Sequence, residues 1–372
     1  MQNCISKRNS GLKIAKRIAK FTSFLAFLLL FSACGNEPPQ PIPAADFANG
    51  VYLCAEGVFS QTSGTITHYN PITKQVRAGG CLFRSINGRD LGNVVQSLSF
   101  FGDKVYIVVN NSNKIEVANA NTWQEEAQIL GLSQPRYALP ISSRTMYVSQ
   151  WGNDGLTGEV KVIQTPENQV ISTVAVPAGA EQFLQHQNTV WLTHTGGYGH
   201  DNRLTIIDTS THTVLHTISL PADVPNSLQK DAQNRIWVAC GGKTIYTNYP
   251  NIDTSLSSPA ALLCIDPNTR LIHTFFTLDY GGNARNLQIN PQTQQLYYLY
   301  KDGVYAFDIA QGLPTRILSG NFYGLGYDAG LNELYAAKNN GISPADVYRI
   351  SPTGAAIDTI SAGAFTNAAI FR

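Results

Sequence analysis

The residues Phe101-Gly102-Asp103-Lys104-Val105-Tyr106 form a polar turn that leads into an apolar–aromatic pair. The same combination recurs through the chain, each time as a turn rich in Asp, Asn, Gln or Arg and then an apolar residue beside an aromatic one. The pairs are Val51-Tyr52, Val105-Tyr106, Met146-Tyr147, Val190-Trp191, Ile236-Trp237, Leu296-Tyr297 and Leu334-Tyr335. Successive aromatic residues lie about 38 to 60 residues apart, which is typical of repeat architectures.

Each pair is followed by two more runs in which apolar and polar residues alternate, such as Leu204–Thr209 and Val214–Leu220. Alternation with many β-branched residues indicates strands, and no window offers an amphipathic helix of useful length. Seven units over residues 50–372 give about 46 residues per unit, enough for four short strands. The sequence therefore predicts an all-β fold, a seven-bladed β-propeller with four-stranded blades. Two stacked β-domains are the alternative, but nothing resembling a linker interrupts the period.

The two ends of the repeat region are complementary. The first unit lacks an innermost strand, because a Pro-rich segment precedes Val51 directly, and the chain ends with an unpartnered apolar run, Ala364–Arg372. We expect this C-terminal run to complete the first blade. Joining the two termini in one sheet closes the ring and removes an open strand edge.

The composition excludes several classes of protein. Charged residues make up 14% of the chain, well below the roughly 25% of ordinary soluble domains, whereas Tyr and Gly are abundant. This balance argues against a helical bundle, a coiled coil, a disordered chain and a polytopic membrane protein. Residues 1–33 hold six of the 26 basic residues and no acidic one, so the remaining chain has 20 basic against 25 acidic residues. A mildly acidic protein gives no indication of nucleic-acid binding.

The N-terminus has the features of a bacterial export signal. A basic stretch, Lys7–Lys20, precedes the apolar run Phe21–Ala33, which is too short to span a bilayer. The run ends in Leu30-Phe31-Ser32-Ala33-Cys34, which resembles a lipobox with Phe31 in place of the usual Leu. We predict a lipoprotein signal peptide over residues 1–33, lipidation of Cys34 and a Pro-rich tether over residues 34–49. An ordinary signal peptide with a chance cysteine is the alternative.

Four further cysteines follow the tether: Cys54, Cys81, Cys240 and Cys264. An exported protein can form disulfides, and none of the four has the spacing of a metal-binding Cys-x-x-Cys pair. Free buried thiols and disulfides both remain open. If one bridge forms, Cys240–Cys264 is the most plausible, because both residues fall in neighbouring predicted strands.

A family resemblance rests on three stretches: Asn87–Trp123, then Pro135-Arg136-Tyr137, and then Pro225-Asn226-Ser227. They resemble the seven-bladed propeller lipoproteins of Bacteroidota, described as YVTN-repeat or quinoprotein-like surface proteins. That resemblance implies a monomer anchored by lipid to the outer membrane, more readily on the cell surface than facing the periplasm. Some members of the family capture cobalamin and hand it to a TonB-dependent transporter. A corrinoid is thus the candidate ligand, bound as cargo and not as a cofactor, and such a transporter is the candidate partner.

Polar residues recur where the predicted inner strands begin, at the face where the longer loops gather. They are Gln96, Arg136, Glu181, Gln182, Asn226, Arg285, Asn286, Tyr323 and Asn367. We expect these side chains to ring the mouth of the central channel, either to bind a ligand or to hydrogen-bond water and neighbouring blades. An unpaired arginine near the axis is costly, so Arg136 and Arg285 should each meet Glu181, another acid or an anionic ligand.

Loops on the same face carry aromatic residues beside Gly and Asn, a composition typical of recognition surfaces. The residues in question are Phe59, Trp151, Tyr198, His200, Tyr246 and Tyr249. The alternative for Tyr246 and Tyr249 is that the insertion Gly241–Ala260 packs its own aromatic side chains as a compact loop.

Signals for catalysis are sparse. No Gly-x-Ser-x-Gly or Gly-x-Gly-x-x-Gly sequence occurs, and only His194 and His200, which flank a Gly-rich loop, could converge on a metal. We predict neither catalytic residues nor a metal site. The leading hypothesis is a non-catalytic lipoprotein that binds a small molecule or a protein at the loop-rich face. A propeller enzyme of the lyase or lactonase kind and a structural interaction module of an outer-membrane complex are the alternatives.

Overall fold

Each of the recurring aromatic residues lies in the second strand of a four-stranded antiparallel sheet, and the seven sheets are arranged as a β-propeller. The computed structural model describes residues 47–372. The first strands of neighbouring sheets contact one another around the ring and line the central channel. The predicted all-β class and seven-bladed architecture are confirmed. The predicted signal peptide and Cys34 lie outside the described residues.

The strands are numbered in chain order, and each blade is given from the channel outward. Blade 1 is β30 (Thr366–Phe371), β1 (Val51–Ala55), β2 (Thr65–Asn70) and β3 (Gln75–Arg77). Blade 2 is β4 (Val95–Phe101), β5 (Lys104–Val109), β6 (Lys114–Asn119) and β7 (Glu125–Ile129). Blade 3 is β8 (Pro135–Ser142), β9 (Thr145–Gln150), β10 (Gly158–Gln164) and β11 (Gln169–Val176). Blade 4 is β12 (Ala180–His186), β13 (Thr189–His194), β14 (Arg203–Asp208) and β15 (Thr213–Ser219).

Blade 5 differs from the others in carrying an insertion between its second and third strands. It is β16 (Pro225–Lys230), β17 (Ile236–Cys240), β20 (Ala261–Ile265) and β21 (Ile272–Thr277), and the insertion holds the small hairpin β18 (Tyr246–Asn248) and β19 (Asn251–Ile252). Blade 6 is β22 (Arg285–Asn290), β23 (Gln295–Tyr300), β24 (Gly303–Asp308) and β25 (Leu313–Ser319). Blade 7 is β26 (Phe322–Asp328), β27 (Glu333–Lys338), β28 (Ala345–Ile350) and β29 (Ala356–Ala362).

The core of residues 47–372 consists of apolar clusters between adjacent blades. Seven clusters are present in this part of the chain, and each contains one aromatic residue of the repeated pairs. Each of these side chains is at most 2% exposed. Burial of such a side chain contributes about 1.5–3 kcal/mol. The recurring aromatic residue is therefore the packing anchor between one blade and the next.

The ring closes as predicted, through the C-terminal strand. β30 pairs with β1 in antiparallel register, with Val51 opposite Phe371. The packed region begins slightly earlier than predicted, because Phe47 is buried against the first blade and its carbonyl accepts a hydrogen bond from the Tyr52 hydroxyl. Residues 47–49, which the sequence placed in the tether, therefore belong to the packed domain.

The Cys240–Cys264 bridge is not formed, and all four cysteines after the tether are free thiols. The two residues do lie on adjacent strands, but Cys264 is opposite Trp237 whereas Cys240 is opposite Ala261. Side chains alternate between the faces of a strand. Cys240 consequently packs in the apolar cluster toward blade 4 and Cys264 in the cluster toward blade 6.

One short helix interrupts the β pattern, where the sequence offered no helix of useful length. A 3-10 turn (Ala78–Gly80) and α1 (Leu82–Asn87) connect β3 to blade 2, with Leu82 and Phe83 buried. Within the part of the chain that the structure describes, no helix is sufficiently long and apolar to cross a membrane.

Candidate functional site

Every inner strand carries a β-bulge close to its first residue. The register between the inner and second strands shifts there in all seven blades. A bulge places extra residues opposite one partner residue and re-aims their side chains. The residues within the shifts include Gln96, Arg136, Glu181, Gln182, Asn226, Asn286, Tyr323 and Asn367. Almost all the residues that the sequence placed at the channel mouth therefore lie in a bulge.

The backbone just before five of the inner strands is left-handed. The residues concerned are Val94, Gln134, Gly179, Val224 and Phe365, with φ between 50° and 72°. This region is unfavourable for side chains branched at Cβ, such as those of Val94 and Val224. Strained backbone of this kind persists only where the surrounding structure enforces it. Here the left-handed residue forms the turn by which each of these five strands enters the channel wall.

The bulges surround a polar cavity of about 190 Å³ at the mouth of the channel, which we call the mouth cavity. Arg285 lines it from the first residue of β22. All the ring residues predicted from the sequence line this cavity, namely Gln96, Arg136, Glu181, Gln182, Asn226, Arg285, Asn286, Tyr323 and Asn367. Their proximity is a property of the structure, whereas their role in binding a ligand stays a prediction.

Arg136 meets Glu181, as expected for an arginine near the axis. Its Nε and Nη2 donate to the Glu181 carboxylate at 2.8–3.2 Å, and its Nη1 donates to Gln96 Oε1 at 2.6 Å. Burial alone would lower the pKa of Arg136, but the charge and hydrogen bonds of Glu181 outweigh burial and raise it. The Arg136 guanidinium lies 4.2 Å from the centroid of the Trp151 ring. Trp151 is fixed further because its Nε1 donates to Glu181 at 3.0 Å.

Glu56, which the sequence did not single out, is a second acid of the mouth cavity. Its carboxylate accepts hydrogen bonds from the Tyr323 hydroxyl and from Asn367 Nδ2, both at 3.0 Å. Burial raises the pKa of Glu56, and these hydrogen bonds together with the charge of Arg136 oppose the rise only in part. In the sequence, Glu56 directly follows the strand β1. This position alone does not distinguish Glu56 from other polar residues that follow a strand.

Arg285 has a different environment from Arg136. Its Nη2 donates to the carbonyl of Phe322 at 2.7 Å and its Nη1 to the carbonyl of Asn283 at 3.2 Å. Burial lowers the pKa of Arg285, and only Tyr323 acts in the opposite direction. Within residues 47–372, Arg285 forms no ion pair with Glu181 or another acid, and carbonyl oxygens take the place of a carboxylate. An anionic ligand, the third partner considered for this arginine, stays a prediction.

Tyr198 extends the aromatic surface next to Trp151. The two rings are in edge contact at 5.8 Å, and the Tyr198 hydroxyl donates to Gln134 Oε1 at 3.0 Å. Gly155 has φ +68°, and a Cβ there would lie 2.2 Å from the Tyr198 ring, so only glycine lets the two loops approach so closely. Tyr198 is therefore held in place although it is 69% exposed.

Two larger cavities flank Trp151 on this face. The first, of about 550 Å³, is lined by Phe59, Glu56, Trp151 and Tyr198, and we call it the Phe59 cavity. The second, of about 490 Å³, is lined by Trp151, His200 and Tyr246, and we call it the Tyr246 cavity. Arg136 lines the mouth cavity and both flanking cavities. The structure hence brings the predicted loop aromatics onto the same face as the polar ring.

The predicted aromatic insertion is partly self-packed. Tyr246 and Tyr249 contact each other, with ring centroids 5.4 Å apart, in the hairpin of β18 and β19. Tyr246 lines the Tyr246 cavity, whereas Tyr249 is 83% exposed and lines neither flanking cavity. The self-packed alternative is thus found for both tyrosines, and a role of Tyr246 in recognition stays a prediction.

The histidine pair considered for a metal has separate environments. His194 is buried, its Nε2 lies 2.8 Å from the Thr205 hydroxyl, and burial lowers its pKa to about 4. His200 is exposed. Across residues 47–372, no three His, Cys, Asp or Glu side chains are grouped so that they could hold a metal ion.

The fold and the bulged ring define a seven-bladed β-propeller with a polar channel mouth on its loop-rich face. A family model described as a domain of unknown function (DUF5074) matches residues 49–346. The chain belongs to this family. No curated protein matches the sequence.

Several solved structures share the architecture. A quinoprotein alcohol dehydrogenase-like protein of Bacteroides thetaiotaomicron is similar over 87% of this chain and 78% of its own, with a TM-score of 0.62 and 11% identity. A 6-phosphogluconolactonase-like protein of Bacteroides uniformis is similar over 87% of this chain and 100% of its own, with a TM-score of 0.60 and 12% identity. Hydrazine synthase of Kuenenia stuttgartiensis is similar over 72% of this chain and 86% of its own, with a TM-score of 0.58 and 13% identity. At these identities the similarity concerns the fold alone, and the three descriptions differ in function.

Proposed function

We propose that this protein is a binding protein that captures a bulky ligand, part apolar and part polar, on the loop-rich face of the propeller. The observation that carries the proposal is the fixed position of Trp151 between the Phe59 cavity and the Tyr246 cavity. Arg136 and Glu181 hold the indole in place from the polar ring beneath it. An aromatic side chain that is ordered before binding loses little entropy on binding.

The chemistry of the face favours a ligand with an apolar body and a polar edge. Tyr198, Tyr246 and Phe59 are 69%, 47% and 66% exposed, so their rings offer apolar area at the surface. The mouth cavity offers amide and carboxylate groups for hydrogen bonds. Pockets that combine apolar walls with a few convergent polar groups are the usual sites of small-molecule binding.

A corrinoid is the candidate ligand that fits this description. Its macrocycle is a large apolar disc edged with amides, so aromatic side chains can cover the disc while the polar ring meets the amides. Support comes from the family resemblance of the sequence together with this geometry. Capture from dilute solution requires nanomolar affinity, about −12 kcal/mol, which several aromatic anchors and hydrogen bonds on a preorganised surface can supply.

Calorimetric titration with cobalamin and cobinamide tests the proposal, and one hairpin supplies a matched pair of variants. Tyr246→Ala removes a ring that lines a cavity, and we expect an affinity loss of about tenfold or more, as for an aromatic hot spot. Tyr249→Ala removes a ring of the same hairpin that lines neither flanking cavity, and we expect little change. Absence of binding heat with folded protein would refute the corrinoid proposal, and equal losses from both variants would refute the assignment of the face.

We further propose that the protein is a lipoprotein of the outer membrane, exposed at the cell surface, that passes its ligand to a TonB-dependent transporter. The support is the sequence of residues 1–34 and the family resemblance. Cys34→Ala should move the protein from the membrane fraction to the soluble fraction with an unchanged melting temperature. A variant that stays in the membrane fraction would contradict the lipid anchor.

A further inference from the structure

The half-buried and buried arginines of residues 47–372 mostly pair with acids, and Arg285 does not. Ion pairs with Glu or Asp are formed by Arg89, Arg136, Arg203, Arg235 and Arg349. Within the same described range, Arg285 forms no ion pair with Asp or Glu, and its guanidinium donates to two backbone carbonyls. A half-buried positive charge without a counter-charge is costly to the folded protein.

The carbonyls fix the guanidinium of Arg285 without neutralising it. A guanidinium has five N–H donors, and the bonds to Asn283 and Phe322 occupy two of them. The remaining donors belong to a side chain that lines the mouth cavity. Planar N–H pairs of this kind match the oxygen atoms of carboxylate and phosphate groups.

Three neighbouring polar side chains, all uncharged, donate hydrogen bonds to other acceptors. Asn226 Nδ2 donates to the carbonyl of Ala284 at 2.8 Å, and Asn286 Nδ2 donates to the carbonyl of Asn367 at 3.2 Å. The Tyr323 hydroxyl donates to Glu56. On the blade 5–7 side of the cavity, Arg285 is thus the cationic group whose charge is left for a ligand.

We propose that Arg285 binds an oxyanion, a carboxylate or a phosphate group, in the mouth cavity. The cavity of about 190 Å³ is large enough for such a group and its water but too small for a large ring system. The oxyanion is either a free ion or a group that projects from the ligand held above it. Only the second source rests on the proposed function.

Thermal unfolding of the full-length protein in increasing sodium phosphate or sodium acetate, with chloride keeping the ionic strength constant, tests the anion site itself. We expect a saturable rise in melting temperature with a midpoint in the millimolar range. Arg285→Gln should abolish it, and Arg285→Lys should retain it with a weaker midpoint. Arg144→Gln, which removes an exposed arginine of the turn between β8 and β9, is the matched control and should leave it unchanged.

Cobalamin and cobinamide distinguish the two sources, since cobalamin carries a phosphodiester group that cobinamide lacks. If Arg285 holds that group, the wild-type protein binds cobalamin about 10- to 100-fold more tightly than cobinamide, as expected for a hydrogen bond to a charged group, and Arg285→Gln removes the preference. Equal affinities, together with a saturable phosphate effect, assign the site to a free oxyanion. If neither corrinoid binds, the proposed ligand fails, and the phosphate titration still decides the anion site.

The proposal is overturned if phosphate and acetate have no saturable effect on the wild-type protein, or if Arg285→Gln retains the effect. Circular dichroism establishes that each variant is folded. Should Arg285→Gln not fold, the wild-type titration and the weaker midpoint of Arg285→Lys decide the question on their own.

Discussion

The blade bodies and the channel mouth share the seven inner strands, but their side chains are arranged differently in the two regions. In the blade bodies, alternate side chains of the strands pack into the clusters between blades, and each interface between blades has one aromatic anchor. At the mouth, a bulge breaks the alternation in every blade and turns polar side chains together. The first residues of each inner strand therefore line the mouth cavity, while later residues pack between the blades.

The two regions also differ in the partners of their buried charged groups. In blade 2, the fully buried carboxylate of Glu116 is bound by both Arg89 and Lys114. At the mouth, Glu56 has only neutral hydrogen-bond donors, and Arg285 has only carbonyl acceptors. Glu116 in the blade body is thus paired with two cations, whereas Arg285 at the mouth has no carboxylate partner among residues 47–372. Incomplete satisfaction of this kind is common at functional sites.

The largest effect on stability is expected from a change that damages both the blade bodies and the channel mouth. Deletion of Ala364–Arg372 takes away β30, which pairs with β1 along its length and supplies Asn367 to the ring. The deletion removes the half-buried Phe365, Ile370 and Phe371 and uncovers β1, whose five residues are all buried. At about 1.5–3 kcal/mol for each large side chain that loses its burial, the loss rivals the whole stability of a typical domain. We expect the truncated chain not to fold at all by circular dichroism. A melting temperature within a degree or two of the parent would contradict closure by β30.

A smaller but still large effect is expected from Glu181→Ala. Arg136 and Glu181 are only 16% and 7% exposed at their side chains, so the substitution leaves a buried positive charge without its partner. We expect a loss of about 3 to 5 kcal/mol in the free energy of unfolding, measured by denaturant titration. Glu126→Ala breaks the exposed ion pair with Lys104 and should cost at most about 1 kcal/mol. Similar losses in both variants would show that the mouth is not a distinct electrostatic environment.

The smallest stability effect is expected from pH, with opposite signs in the two regions. Burial raises the pKa of Glu56, so stability should fall as the pH rises from the ordinary Glu range through the raised folded-state pKa. Burial would also raise the pKa of Glu116, but Arg89 and Lys114 outweigh it and hold the pKa low. The stability that Glu116 contributes should therefore be lost as the pH falls from the ordinary Glu range through the lowered folded-state pKa.

The measurement is the free energy of unfolding between about pH 3 and pH 7, a range that spans the ordinary Glu pKa. Glu56→Gln should remove the decline toward neutral pH, and Glu116→Gln should remove the decline toward acid pH. The same pH response in both variants would contradict the assigned environments.

The blade bodies were predictable from the sequence because their physics is periodic. An aromatic residue at a regular interval and a two-residue alternation indicate the repeat, the strands and even the closing strand. The predicted ring residues were also found together, because each begins a predicted inner strand. Periodicity does not give the exact register between strands. The bridge between Cys240 and Cys264 was therefore wrongly favoured, because the two side chains lie on opposite faces of blade 5.

Contacts between residues that are far apart in the chain and meet only when the ring closes could not be predicted from the sequence. Glu56 is separated by 267 residues from Tyr323 and by 311 from Asn367, and no local pattern connects them. The environment of Arg285 was unpredictable for the same reason, since its acceptors come from the backbone of its own loop and of blade 7. The bulges themselves could not be predicted, because a polar residue near the start of a strand does not indicate a shift in register.

We propose that the channel mouth and its aromatic border, and not the blade bodies, bind the ligand. Calorimetric titration of cobalamin into the wild-type protein and into Trp151→Ala, beside their melting curves, tests it most directly. We expect Trp151→Ala to weaken binding at least about tenfold, while the free energy of unfolding falls by only about 1 to 2 kcal/mol. Equal affinities of the two proteins for cobalamin, with both folded, would contradict it.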